Sequence, residues 1–125
     1  MKEILVTDKA PKPVGPYSQA IRAGKFLFVS GQLPIDPKDG KIVPSDITVQ
    51  TSRTLENIKA ILETVNYTLS DIVQTHVYLS SMTLLKEFNN TYATYFNKDF
   101  PARVTVGAEL VPGALLEISA IAYKE

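Results

Sequence analysis

An arginine at the start of a predicted strand is the clearest candidate for chemistry in this sequence. Arg103 follows Phe100-Pro101-Ala102, where the proline has a fixed φ and forces the residue before it into an extended conformation. Residues 102–106 then alternate with β-branched side chains, which predicts a strand. A guanidinium on a stiff backbone can bind a carboxylate through two parallel hydrogen bonds. The alternative is a solvated or ion-paired strand arginine, which is common in proteins.

Glu117 is the second candidate, because it is an acid within the apolar last strand of the chain. Alternation places it on one strand face with Leu115, Ser119 and Ile121. A carboxylate among apolar neighbours is costly unless it is paired or exposed. Glu117 is therefore an exposed carboxylate, the partner of a lysine, or a carboxylate beside Arg103 on the sheet face away from the helices.

Two further positions have the chemistry to line a ligand site. Tyr17 follows Gly15-Pro16 at the end of a proline-rich loop, where it could equally be an aromatic anchor that pins the loop to the core. Ser30-Gly31 ends an apolar strand, and a hydroxyl beside bare backbone can approach a ligand closely. An ordinary strand end or bulge has the same sequence pattern.

Several catalytic chemistries lack the residues that they need. The chain has no cysteine, which excludes disulfides, thiol catalysis and thiolate metal sites. His76 is the single histidine, and protein zinc sites usually need several His or Cys ligands. There is no P-loop and no G-x-S-x-G nucleophile elbow. Any catalysis is therefore expected to depend on Arg, Glu, Ser, Tyr and water.

The size and charge of the chain limit its class. Its 125 residues predict a single domain spanning residues 1–125. Thirteen basic residues balance thirteen acidic ones, so no electrostatic footprint for a nucleic acid or an anionic membrane is present. The N-terminal segment does not resemble a signal peptide, and no apolar run reaches the ~18 residues of a membrane span. We therefore expect a cytoplasmic protein without a membrane partner.

The predicted elements follow the order β, β, β, α, β, α, β, β. Strands are expected at residues 3–6, 19–22, 26–30, 71–79, 102–106 and 115–122, and helices at 46–65 and between 81 and 96. Two helices that cross over a mixed sheet cover one face of it. The other face still carries apolar side chains and needs a cover, which another copy of the chain would supply. An oligomer with a site between subunits is expected.

Four segments, in this order, carry a resemblance to a known family. They are Gly15-Pro16-Tyr17-Ser18-Gln19-Ala20, Val29-Ser30-Gly31-Gln32, Phe100-Pro101-Ala102-Arg103 and Leu116-Glu117-Ile118-Ser119-Ala120-Ile121-Ala122. Over nearly its full length the chain resembles the reactive intermediate deaminase family (RidA, also called YjgF). The resemblance implies an α+β, chorismate-mutase-like fold, with a six-stranded mixed sheet and two helices on one face. It also implies a barrel-like homotrimer with clefts between subunits.

The same resemblance implies an activity that needs no cofactor. It is the hydrolysis of 2-iminobutanoate and 2-iminopropanoate, which pyridoxal-phosphate-dependent dehydratases form, to 2-oxo acids and ammonia. Carried over residue by residue, Arg103 binds the substrate carboxylate and Glu117 orients or activates the attacking water. The other implied substrate-binding residues are Tyr17, Ser30, Gly31 and Thr105, the last two through backbone groups nearby.

A departure at the site implied by this resemblance, and two alternative functions, accompany it. Val104-Thr105 stands where relatives often carry Ser-Cys or a similar small pair, so Thr105 has to supply any side-chain contact there. One alternative is a trimeric protein that binds 2-oxo acids without turnover. The other is a holdase or endoribonuclease activity of the kind proposed around the family, and the balanced charge argues against RNA binding.

Overall fold

The computed structural model covers residues 1–125 and contains eight strands and two helices. The strands are β1 (Lys2–Leu5), β2 (Ala20–Ala23), β3 (Phe26–Gln32), β4 (Ile35–Asp36), β5 (Lys41–Ile42), β6 (Ile72–Leu79), β7 (Ala102–Gly107) and β8 (Leu116–Tyr123). The helices are α1 (Ile47–Glu63) and α2 (Leu85–Phe96). The short β4–β5 hairpin is additional to the predicted strands, and it closes around the Asp39-Gly40 turn.

Six of the strands form one mixed sheet in the order β1-β2-β3-β8-β6-β7. All neighbours in this sheet are antiparallel except β6 and β7, which are parallel. Parallel neighbours need a crossover connection, and α2 provides it. Both helices lie on the same sheet face, so the predicted α+β architecture is confirmed.

The hydrophobic core lies between the helices and the sheet. Leu55, Ile58 and Leu62 of α1 are fully buried, as their helical spacing predicts. In β8 the buried residues alternate, and they are Leu116, Ile118, Ala120 and Ala122. Burying one such leucine or isoleucine contributes about 1.5–3 kcal/mol. The Asp46 side chain accepts a hydrogen bond from the Val49 amide and caps α1.

Buried amide side chains fix the loops around the sheet. The Gln19 side chain donates hydrogen bonds to the carbonyls of Thr7, Ala10 and Pro11, and so holds the proline-rich loop. The Gln50 side chain donates to the carbonyl of Gly113 and accepts from the amide of Leu115, which fixes the entry to β8. These bonds satisfy backbone groups that would otherwise be buried without partners.

The sheet face opposite the helices is open in the single chain. Its large apolar side chains are about half exposed, and they include Ile4, Phe26, Phe28, Val104 and Val106. Leu115, which we expected on this face, precedes β8 and packs against the core instead. We call this surface the open sheet face. No helix is long and apolar enough to cross a membrane.

Candidate active site

Arg103 lies on the helix-covered side of the sheet, which is contrary to our expectation. The parallel pairing of β6 and β7 sets Arg103 beside Thr75. Thr75 is fully buried beneath α2, where its hydroxyl bonds to that of Tyr92. The guanidinium carbon of Arg103 lies 5.0 Å from the centroid of the Tyr92 ring and 5.5 Å from that of Phe88. The arginine therefore stacks over the aromatic face of α2.

The cavity next to this guanidinium has a volume of about 310 Å³ and is open to solvent. Its lining residues define the Arg103 cleft, and they are Asn89, Tyr92, Ala93, Phe100, Pro101 and Arg103. The single ion pair of the chain joins Arg22 to Glu3, so the charge of Arg103 is not neutralised by a carboxylate of its own chain. A free guanidinium beside an apolar wall is suited to a small carboxylate that carries an apolar group.

Glu117 lies on the open sheet face. The antiparallel pairing of β6 and β8 sets it beside Tyr78, away from the helices. Its carboxylate packs against the backbone of Gly31 and leaves no room for a side chain there. A Cβ atom at residue 31 would lie 2.9 Å from Glu117 Cδ and closer still to Glu117 Oε2. A glycine is therefore needed at residue 31 for this approach.

A second cavity, of about 340 Å³, contains this carboxylate. Its lining residues define the Glu117 cleft, and they are Gly31, Tyr78, Ala108, Glu109, Leu110, Glu117 and Ser119. Glu117 forms no ion pair within the chain. Burial raises the pKa of its carboxyl group above the ordinary value. A carboxylate with a raised pKa is a stronger base than an exposed one, and such groups are common at functional sites.

Ser30 directly precedes Gly31, but neither Ser30 nor Tyr17 is among the residues that line the Glu117 cleft. The pairing of β3 with β8 is irregular between Val29 and Gln32, so Ser30 and Gly31 occupy a bulge. The Ser30 hydroxyl donates a hydrogen bond to the carbonyl of Ser18, next to Tyr17. The Tyr17 side chain is 51% exposed, and it is not a core anchor in the single chain.

The expectation that Arg103 and Glu117 lie side by side is wrong for a single chain. Successive residues of β7 face opposite sides of the sheet, as predicted, but Arg103 faces the helices and not the open side that we expected. The parallel register of the edge strand β7 with β6 places Arg103 under α2, and Val104 and Val106 therefore lie on the open sheet face. The two charged groups therefore lie on opposite faces of one sheet, each in its own cleft.

Two polar atoms near Arg103 are buried without hydrogen-bond partners. They are Oδ1 of Asn89 and Oγ1 of Thr105. Thr105 lies on the same strand face as Arg103, and its hydroxyl is covered by the chain itself. Asn89 is absent from the predicted site, although its signal is present in the sequence: it is a polar residue within the inward stripe of α2, between Phe88 and Tyr92. Its unpaired carbonyl oxygen is an acceptor beside the cleft.

No group of three or more His, Cys, Asp or Glu side chains is arranged to hold a metal ion.

The match to known proteins covers almost the whole chain. The model of the family described as Endoribonuclease L-PSP matches residues 7–124. A RutC family protein of Pyrococcus horikoshii is 56% identical over an alignment of 126 positions, which covers 100% of this chain and 100% of that protein. The chain belongs to the RidA/YjgF family.

Solved structures of RidA/YjgF proteins superpose closely on this chain. YyfA of Yersinia pestis, from the conserved Rid family, matches with a TM-score of 0.95 and 41% identity, over 99% of this chain and 100% of that one. TdcF of E. coli with bound serine matches with a TM-score of 0.92 and 33% identity, over 98% of this chain and 99% of that one. The family fold is thus shared over its full length.

The contact between Gly31 and Glu117 provides a direct test of the Glu117 cleft. We expect Gly31→Ala to reduce about a hundred-fold any turnover that depends on the Glu117 carboxylate, because the added methyl group displaces this carboxylate and small misplacements are costly. The fold should persist, since the end of the Glu117 side chain can move. The measurement is the initial rate, with circular dichroism to check folding.

Gly107→Ala is the matched control for this substitution. A Cβ atom there meets Met82 Cγ at 3.5 Å, an ordinary contact, so activity and stability should change little. A Gly31→Ala protein as active as the wild type would show that the position of the Glu117 carboxylate does not matter.

Proposed function

We propose that this chain hydrolyses 2-imino acids such as 2-iminobutanoate and 2-iminopropanoate to 2-oxo acids and ammonia. The observation that carries the proposal is the pair of unneutralised charged groups, Arg103 beside an apolar cleft and Glu117 held against Gly31. The first suits a small carboxylate and the second suits a water molecule that needs a base. The serine bound to TdcF supports the same ligand class, since serine has an α-carboxylate.

We further propose that each site forms between two copies of the chain. Arg103 and Glu117 lie on opposite sheet faces of one chain, so they can meet at one substrate only if they come from different copies. Such a contact is head-to-tail, and head-to-tail contacts can close into rings. A homotrimer would also cover the open sheet face, whose phenylalanine and valine side chains are about half exposed.

In this site the chemistry balances without a cofactor. The guanidinium of Arg103 holds the substrate carboxylate in two hydrogen bonds, which fixes the imine carbon. Glu117 of the neighbouring copy accepts a proton from water as the oxygen bonds to that carbon. Glu117 passes this proton to the nitrogen of the resulting tetrahedral adduct. It then transfers the proton of the new hydroxyl group to the same nitrogen, so that the C=O bond forms as the C–N bond breaks and ammonia leaves. Water is consumed, and one 2-oxo acid and one ammonia are released.

The testing experiment follows imine hydrolysis directly. A threonine dehydratase supplies 2-iminobutanoate in a buffer that slows its spontaneous hydrolysis, and 2-oxobutanoate release is recorded with and without this protein. Acceleration by the wild type is expected. No acceleration by a protein that still binds 2-oxobutanoate would favour the alternative of a binding protein without turnover.

The endoribonuclease activity in the family's description is a different class of function. It would need a groove that neutralises phosphates, and the chain has equal numbers of acidic and basic residues. We expect no cleavage of single-stranded RNA under conditions in which 2-iminobutanoate is hydrolysed.

Mixing two inactive variants tests the site between copies. Arg103→Ala and Glu117→Gln proteins are each expected to be inactive, but refolding them together at equal amounts should restore roughly a quarter of all sites, every one of them in a mixed ring. Each restored site takes its arginine from one variant and its glutamate from the other. The measurement is the 2-iminobutanoate hydrolysis rate before and after joint refolding.

The control is the double variant, which carries both substitutions in one chain and is refolded with Arg103→Ala alone. Neither chain of that mixture supplies a wild-type arginine at residue 103, so no site can be restored and the rate should stay at its background value. If the two single variants also stay inactive after mixing, the two residues do not act from different copies.

A further inference from the structure

The exposed Arg103 side chain forms no hydrogen bond or ion pair with its own chain. An arginine side chain has many rotamers, and holding it in one place costs conformational entropy. The contacts that hold it here are aromatic: its guanidinium carbon is 5.0 Å from the Tyr92 ring centroid and 5.5 Å from the Phe88 ring centroid. A cation over a ring face is attracted by the ring quadrupole.

This mode of attachment differs in its consequence from an ion pair. A carboxylate partner would neutralise the guanidinium and compete with an incoming anion. A ring contact accepts no hydrogen bond from the guanidinium in the way a carboxylate does, so its N–H groups stay free to donate to a ligand. Arg103 is thereby fixed in position and still fully charged.

The Tyr92 ring is itself firmly held. Tyr92 is only 3% exposed, and its ring packs between those of Phe88 and Phe96, with centroid distances of 5.3 and 4.7 Å. Its hydroxyl shares a buried hydrogen bond of 2.7 Å with the Thr75 hydroxyl. Burial raises the pKa of Tyr92, so the ring carries no charge near neutral pH.

Thr75 links the Tyr92 ring to the strand that carries Arg103. It is the residue paired with Arg103 across the parallel β6–β7 register, and it is fully buried. The backbone of Arg103 and the ring under its guanidinium are therefore tied to the same residue. A shift of α2 relative to β7 would strain this hydrogen bond.

We infer that Tyr92 is a positioning residue, whose ring, anchored by the hydroxyl of Thr75, fixes the guanidinium of Arg103 for binding the carboxylate of the ligand. The inference rests on the proposed function for the identity of that ligand. Tyr92 acts through Arg103 and takes no part in proton transfer.

The test measures binding of 2-oxobutanoate by calorimetry, which needs no turnover. Tyr92→Leu removes the ring, and we expect the dissociation constant to rise about ten-fold. Tyr92→Phe keeps the ring and loses only the hydrogen bond to Thr75, so we expect the dissociation constant to rise only about two-fold. This near-normal binding is required if the ring, and not the hydroxyl, positions Arg103. In turnover experiments Tyr92→Leu should raise KM more than it lowers kcat.

Tyr95→Leu is the matched control, because Tyr95 lies on the same helix, is half-buried and bonds to the carbonyl of Ser52 instead of contacting Arg103. It should cost stability without changing the dissociation constant. Thr75→Val should raise the dissociation constant as much as Tyr92→Phe does. The Thr75→Val/Tyr92→Phe double variant should raise it no further, because both substitutions remove the same hydrogen bond. If Tyr92→Leu does not fold, Tyr92→Met is used in its place, because the flexible methionine side chain can fill the space under Arg103 and also has no ring.

The outcomes distinguish this inference from the proposed function. A folded Tyr92→Leu or Tyr92→Met protein that binds 2-oxobutanoate as tightly as the wild type would overturn the inference. Binding without imine hydrolysis by the wild type would overturn the function and leave the inference standing. If the wild type does not bind 2-oxobutanoate, the NMR chemical shift of Arg103 Nε–H provides the test. A resonance that is shifted by the ring in the wild type, and that moves in Tyr92→Leu to the value of a free arginine, supports the inference. A resonance that Tyr92→Leu leaves unchanged overturns it.

Discussion

Arg103→Ala is expected to reduce hydrolysis of 2-iminobutanoate by about a hundred-fold or more. The guanidinium is the one cation of the Arg103 cleft, and loss of one partner of a desolvated, hydrogen-bonded charge pair typically costs this much or more. The fold should tolerate the change, because Arg103 is on an edge strand and its own chain offers it only the contacts with Phe88 and Tyr92. The measurements are turnover, 2-oxobutanoate affinity and the midpoint of thermal unfolding.

Arg22→Ala is the control for removing a strand arginine. Arg22 is also on the sheet, but it pairs with Glu3 at 2.7 Å on the surface, far along the sheet order from β7. Its loss should leave turnover unchanged and affect stability by about 1 kcal/mol at most. Equal activity of the Arg103→Ala protein and the wild type would contradict the assignment of the carboxylate site.

Glu117→Gln is expected to lower the turnover rate about a hundred- to ten-thousand-fold and to leave 2-oxobutanoate binding nearly intact. An amide has the shape of the carboxylate but cannot accept a proton from water, and general-base catalysis has this magnitude. Loss of ligand binding in parallel with turnover would show that Glu117 has a structural role and is not the base.

The pH dependence of the wild type provides the second part of this test. Because burial raises the pKa of Glu117, turnover should fall with decreasing pH through a pKa above that of an ordinary glutamate. The Glu117→Gln protein has no such group and its residual rate should not show this step. The comparison is made on the rate against pH for both proteins.

The same raised pKa has a consequence for stability with a definite sign. The folded chain holds the proton of Glu117 more tightly than the unfolded chain does. The stabilising contribution of this group is complete below the ordinary glutamate pKa, and it is lost as the pH rises through the higher folded-state pKa. The wild type should therefore lose stability relative to Glu117→Gln across that window, so the carboxylate that we propose as the base destabilises the fold at neutral pH.

Much of the architecture was determined by the sequence itself. Two-residue alternation in 116–122 and helical spacing in α1 specify which side chains share a face, because these periods are properties of the backbone. Asp46 caps the start of α1, one residue from the predicted start, whereas the helix ends at Glu63, two residues before the predicted end at residue 65. The family's four motifs were equally visible in the sequence.

The site was decided by the tertiary structure. Alternation shows that Arg103 and Val104 face opposite ways, but it does not show which of the two faces the helices cover. That depends on the parallel register of β7 with β6 and on the path of α2 between them. The same long-range contacts bring Gly31 against Glu117 and the ring of Tyr92 under Arg103, across distances in sequence that no local pattern specifies. Local periodicity thus determined the elements, and packing between distant elements determined that one chain holds two separate clefts.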